Sequence, residues 1–175
     1  SAPNNNPINE NRKTRDDHRV SEHFVDLLGD YGDYRIMVFA NPTALNTFTG
    51  IPNGLLSSQA AAFNGNGIAN TSKIGSYFSA ATAPGQLMSY AELQFILAEA
   101  ALKGYIPGGM AAAKTFYDAG VTGSFMQYKD ALQEIFDAHA GGSYGGLSIP
   151  DPYTVEEELA WHITDASAPA YFDDA

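Results

Sequence analysis

Between Ser89 and Lys103 apolar residues recur at helical spacing on two faces at once. Leu93, Ile96, Leu97, Ala100 and Ala101 form one face, and Ala91, Phe95, Ala98 and Leu102 form another. Glu92, Glu99 and Lys103 share the remaining charged edge, with Gln94 apart from them. The pattern predicts a helix over 89–103, and an apolar surface on two sides predicts neighbours on both. Its ends are marked as well. Ser89 with Glu92 reads as a capping box, and Gly104 stands where a left-handed C-cap belongs. A second helix is predicted over 110–126 after the Pro107-Gly108-Gly109 turn. Tyr128, Ala131, Leu132, Ile135 and Phe136 predict a third over 128–139. Ser21 caps a short helix over 21–28, and Thr154 with Glu157 opens another over 155–163.

Ala112, Phe116 and Ala119 keep the spacing of the second helix of a tetratricopeptide unit, so 89–126 reads as a hairpin built to stack. Elsewhere the pattern is weaker. Residues 1–19 are polar and read as extended. Ile36 to Ala40 is a short apolar run, either a strand or a buried segment. Residues 41–86 read as largely irregular, with Pro52-Asn53-Gly54 and Asn64-Gly65-Asn66-Gly67 as turn signals. The fold class expected is mainly α: tetratricopeptide-like helical hairpins of an α/α superhelix, with long irregular loop insertions.

Charge narrows the function classes. The 175 residues carry a net charge of −11, of which −10 falls from Asp118 onward, where eleven acids meet one base. An acidic chain without a basic stripe argues against nucleic acid and against an anionic lipid surface. With no cysteine in the sequence, disulfides, thiolate metal sites and thiol nucleophiles are all excluded. From Ile36 to Ala91 the only charged side chain is Lys73. A nearly uncharged stretch of this length, rich in Asn, Gly, Ser and Thr and studded with aromatics, is unusual for a connection and is expected to be either functional or held by another domain. Phe48, Asn53, Phe63, Asn64, Asn66, Tyr77 and Phe78 supply flat apolar faces beside amide groups, the chemistry that a neutral sugar needs. Tyr31, Tyr34 and Trp161 are available to join them. The competing structural reading is that these aromatics anchor a long loop and the asparagines serve its turns.

Other candidate chemistry fails on context. Gly141-Gly142-Ser143-Tyr144-Gly145 fits the G-x-S-x-G elbow of hydrolases, but that elbow needs a strand before the serine and a helix after it. Here a helix precedes and Pro150 follows, so a glycine-rich loop is expected. His18, His23, His139 and His162 show no zinc-enzyme spacing, and His139, which extends the apolar stripe of its helix, reads as a packed or capping histidine. Glu156, Glu157 and Glu158 read as helix-start electrostatics. No catalytic residue, metal site or cofactor is assigned.

Taken together, several blocks resemble the SusD/RagB family of surface nutrient-binding lipoproteins. They are R-D-D-H-R-V-S from Arg15, D-Y-R-I-M-V-F-A-N-P from Asp33, G-I-P-N-G-L from Gly50, and S-K-I-G-S-Y from Ser72. The longest runs from Met88 to Gly104 and continues through Phe116 to Gly120 and on to Phe125. The resemblance implies a mostly helical scaffold on the outer face of the outer membrane, anchored by lipid on an N-terminal cysteine. It further implies non-catalytic capture of an oligosaccharide or other nutrient, passed to a TonB-dependent, SusC-like transporter. On this basis residues 1–175 are expected to be a single partial domain of a longer protein. In it, 1–87 is a loop-rich segment with a short helix, 88–140 holds the tetratricopeptide-like helices, and 141–175 is a loop with a short helix. The alternatives are a tetratricopeptide-like adaptor that binds only protein, and a hydrolase using Ser143 or a carboxylate pair.

Overall fold

The computed structural model describes residues 5–65, 67–168 and 172. Nine α-helices lie among the described residues: α1 (Pro7–Arg12), α2 (Glu22–Asp30), α3 (Ile36–Phe39), α4 (Ser57–Ala62), α5 (Ser76–Ser79), α6 (Tyr90–Leu102), α7 (Gly109–Gln127), α8 (Lys129–Ala138) and α9 (Val155–Thr164). The strands β1 (Ser143–Tyr144) and β2 (Leu147–Ser148) form one small antiparallel hairpin. The fold is mainly α, as expected. The chain divides into two compact units, Ser1–Gly85 with Glu134–Pro152, and Gln86–Gln133 with Tyr153–Ala175.

In the first unit the core is built around α2 and α3. Val25, Leu28, Ile36, Met37, Val38 and Ala40 are buried, together with Phe136 and Ile149. The run from Ile36 is therefore a buried segment, but it closes into one helical turn rather than a strand. Its apolar side chains are buried whatever their order, so periodicity carries no signal over four residues. Among the described residues of 41–86 only short helical turns form. They are tied to the rest by isolated bridges, Arg19 with Lys73, Ser21 with Ile51 and Ala40 with Ile74. Fully buried Ser72 adds an Oγ that accepts the Thr49 N–H at 3.0 Å. The extended reading of 1–19 is corrected: α1 forms there. Pro7 suits a first helical position, and Asn6 Oδ1 accepts the N–H groups of Ile8 at 2.8 Å and Asn9 at 3.4 Å.

The second unit is dominated by the α6–α7 hairpin, with α9 against α7. Ser89 Oγ accepts the Glu92 N–H at 2.9 Å, and Gly104 closes the helix at φ 73°. Small residues let the helices approach: Ala91, Ala98 and Ala101 on α6 and Ala113 and Gly120 on α7 are buried. A Cβ on Gly120 would lie 2.7 Å from the Phe95 ring, and one on Gly123 would lie 2.6 Å from the Tyr90 ring. The expectation of neighbours on both faces of α6 is met only in part, since each face has covered and uncovered positions. Leu93, Ile96 and Leu102 remain exposed, whereas Gln94 is buried. On α9, Thr154 and Glu157 form the expected capping box. Glu158 does more than favour a helix start. It is buried, accepts from the Tyr153 hydroxyl at 2.7 Å, and lies 3.1 Å from His162 Nε2 one turn on.

Candidate functional site

A cavity of about 340 Å³ lies wholly within the first unit, inside the ordinary range for small-ligand sites. Its lining comes from the last turns of α2 (Val25, Leu28, Gly29), the following turn (Gly32, Asp33), Ile36 of α3, Thr47 and Phe48 of the long loop, and Gly145 to Leu147 of the hairpin. Val25, Leu28, Asp33 and Ile36 are buried, while Gly29, Gly32, Thr47 and Gly146 are exposed at its rim. The result is an apolar floor under a rim of backbone and one hydroxyl.

Local chemistry explains each wall. The α2 C-terminus ends in a Schellman motif, with Gly32 at φ 60°, its N–H on Gly29 O at 3.0 Å, and the Asp33 N–H on Leu28 O at 2.9 Å. That turn sends the chain back so that α3 follows directly. Asp33 lines the cavity with its charge already answered: the Arg35 guanidinium holds it through Nε at 2.9 Å, and the Arg35 backbone N–H donates to Oδ1 at 2.9 Å. The opposite wall depends on Gly145. It sits at φ 63°, and a Cβ there would lie 2.0 Å from Phe48 Cε2. Gly145 and Gly146 (φ 83°) together make the two-residue turn of the hairpin. Asn46, itself at φ 54°, clamps this turn to the loop. Its Oδ1 accepts the Gly145 N–H at 2.8 Å and its Nδ2 donates to Ser143 Oγ at 3.3 Å. Phe48 then packs edge-on against Tyr144 with ring centres 6.0 Å apart, and His139 packs on Tyr144 at 4.7 Å. Burial pushes the Tyr144 phenol up from its ordinary pKa. Thr47 shares hydrogen bonds with Thr43 at 2.8 Å and Thr49 at 3.1 Å, and it is the one of the three that lines the cavity.

The sequence-predicted residues are dispersed. Phe48 lines the cavity. Tyr77 and Phe78 belong to α5, where they pack on each other at 5.0 Å, and Phe78 reaches Phe39 at 5.8 Å. Asn53 is exposed in a turn, and Phe63 caps the end of α4. Asn64 stands at φ 52° and exchanges side-chain-to-carbonyl hydrogen bonds with Asn70. Asn66 lies outside the described residues. Tyr34 spends its hydroxyl on Ser148 O at 2.8 Å, and Trp161 packs on His162 in the other unit. Sequence reasoning missed Asn46, Thr47, Tyr144 and Gly145. Asn46 and Gly145 are brought together only by folding, although the Gly-Gly pair between short apolar residues was a hairpin signal. That hairpin also disposes of the hydrolase elbow, because Ser143 leads into a turn and a second strand rather than a helix.

A second, polar cleft of about 320 Å³ is lined by Asn9, Arg12, Lys13, Asp16 and Ser79. Its charges are internally matched: Arg12 pairs with Asp16, and Lys13 with Glu10. The hydrogen bond from the Lys73 ammonium holds the Asp16 carboxyl below its ordinary range. Among the described residues no three His, Cys, Asp or Glu side chains gather as metal ligands.

Comparison with known proteins identifies a family for the chain. A family model for SusD-like proteins, described as starch-binding and associating with the outer membrane, matches residues 1–148. A solved SusD homologue from Bacteroides vulgatus ATCC 8482 is similar at 28% identity over 73% of this chain and 26% of its own, with a TM-score of 0.59. A solved chitin-binding protein is similar at 26% identity over 69% of this chain and 30% of its own, with a TM-score of 0.52. The chain thus spans between a quarter and a third of the length of these solved relatives. No curated protein matches the sequence.

Proposed function

The chain belongs to the SusD-like family, and from that premise we propose that it forms part of a surface protein that captures a neutral glycan at the Phe48 cavity and leaves it intact. The observation that carries this reading is the cavity itself: an aromatic wall and a threonine hydroxyl from a stretch whose only charged residue is Lys73. Starch, in the family description, and chitin, in the name of a solved relative, are both uncharged polymers. Neutral sugars bind through C–H faces against apolar surface and through hydroxyls on uncharged donors and acceptors. The hairpin around Ser143 supplies no activated nucleophile, which supports capture without cleavage.

The captured glycan is handed to a TonB-dependent, SusC-like transporter, with the protein held at the cell surface by a lipid anchor. Calorimetric titration with neutral and with charged oligosaccharides, followed by product analysis of the mixtures, tests the reading. Binding of a neutral member without cleavage products is expected. Cleavage, or affinity confined to a charged glycan, would overturn it. Co-purification with a β-barrel transporter from outer-membrane extracts tests the partnership separately.

A further inference from the structure

Glycine destabilises a helix interior relative to alanine. Among the described helices, Gly29, Gly120 and Gly123 occupy ordinary helical backbone. Two are explained by packing, since a Cβ at Gly120 or Gly123 would meet an aromatic ring. Gly29 is not. A Cβ built there meets nothing within 4 Å. The left-handed residue of that helix end is Gly32, so the turn does not require Gly29 either. Gly29 instead lines the cavity, at its exposed rim.

The chemistry of that cavity says what the space is for. Val25, Leu28 and Ile36 form a buried apolar floor, Phe48 stands as a wall, and the Thr47 hydroxyl lies at the exposed rim. A sugar bearing only hydroxyls can lay a C–H face on the Phe48 wall but leaves the floor unfilled, because hydroxyls placed there lose water without gaining partners. A short apolar group carried on a polar link satisfies both layers, its methyl on the floor and its polar atoms at the rim. Resting on the neutral-glycan reading above, we propose that Gly29 is a specificity-determining residue that keeps the cavity open for an apolar substituent on the bound sugar, of the N-acetyl type.

The test compares N-acetylated chito-oligosaccharides with cello-oligosaccharides of equal length, which keep the β-1,4 linkage and lack the acetamide. Calorimetry on the parent chain, on Gly29→Ala and on Gly29→Leu gives the affinities, and thermal melts report folding. The parent is expected to prefer the acetylated series by roughly tenfold or more, the worth of a small apolar group in an apolar pocket. Gly29→Leu should abolish that preference and Gly29→Ala reduce it, with both variants melting at or above the parent temperature. Equal affinity of the parent for the two series overturns the proposal and leaves the glycan reading standing. So does an unchanged preference in Gly29→Leu, or a melt well below the parent in both variants, which would assign the glycine to packing. Failure of the parent to bind any oligosaccharide, malto-oligosaccharides included, removes the glycan reading and this inference with it.

Discussion

Gly145 carries two constraints at one residue, a left-handed backbone and a phenylalanine ring where a Cβ would stand. Gly145→Ala should therefore cost about 2–4 kcal/mol, from the left-handed conformation and the displaced Phe48 ring together. Urea unfolding measures this, and a change below about 0.5 kcal/mol would contradict the assigned clash. Asn46 offers a finer dissection because it too sits at positive φ. Asn46→Gly keeps the backbone but leaves the Gly145 N–H without its side-chain acceptor, for a loss of about 1 kcal/mol. A different split is expected among the aromatics. Phe48→Ala should weaken glycan binding, whereas Tyr77→Ala and Phe78→Ala should lower stability by about 1–3 kcal/mol with affinity retained, since their rings pack on each other and on Phe39. Loss of affinity from all three, with stability unchanged, would restore them to one binding surface. Phe48 was legible in sequence as an aromatic within an uncharged stretch. Its partners were not, because Asn46 and Gly145 meet across a long separation and no local pattern records such a meeting.

At the scale of elements, periodicity and caps were informative where helices are long enough to show a face. The helices α2, α6, α7, α8 and α9 stand close to where the spacing predicts them. The short α1, α3 and α5 have too few residues for a 3.6-residue period to repeat, and tertiary burial or a single cap decides them. The α6–α7 contact shows what pattern alone leaves out. Two apolar faces were visible, but the closeness of the helices is set by glycines facing rings, which no hydrophobic period reports. Gly120→Val should force the Phe95 ring away from α7 and from Tyr117, whose ring centre lies 5.6 Å off. Phe95 is 39% exposed, so it has room to swing outward, and the expected cost is near 1 kcal/mol. Phe95→Ala combined with Gly120→Val should recover part of that loss. A double-mutant cycle with no coupling between the two positions would show that the ring is not what the glycine accommodates.

For the whole molecule, charge and apolar exposure set behaviour in solution. Leu87, Met88, Leu93 and Ile96 are exposed in the second unit, and a hydrophobic dye should bind the 175-residue chain and do so less after Leu93→Gln with Ile96→Gln. The net charge of −11 bears on the ligand more directly. An acidic glycan approaching this protein meets repulsion, and the one carboxylate lining the Phe48 cavity is already held by Arg35. The recognition proposed there would rest on ring stacking, apolar burial and hydroxyl hydrogen bonds, none of which senses ionic strength strongly. Because the Debye length shrinks from about 10 Å at 0.1 M salt to about 3 Å at 1 M, any long-range charge contribution fades over that range. The affinity for a neutral oligosaccharide should accordingly change by less than about twofold between 0.1 M and 1 M sodium chloride. Titrations at both concentrations, with heat of dilution subtracted, measure it. A several-fold weakening would mean that ionic contacts hold the ligand. In that event the polar cleft at Arg12, Lys13 and Asp16, rather than the apolar cavity, would become the place to look.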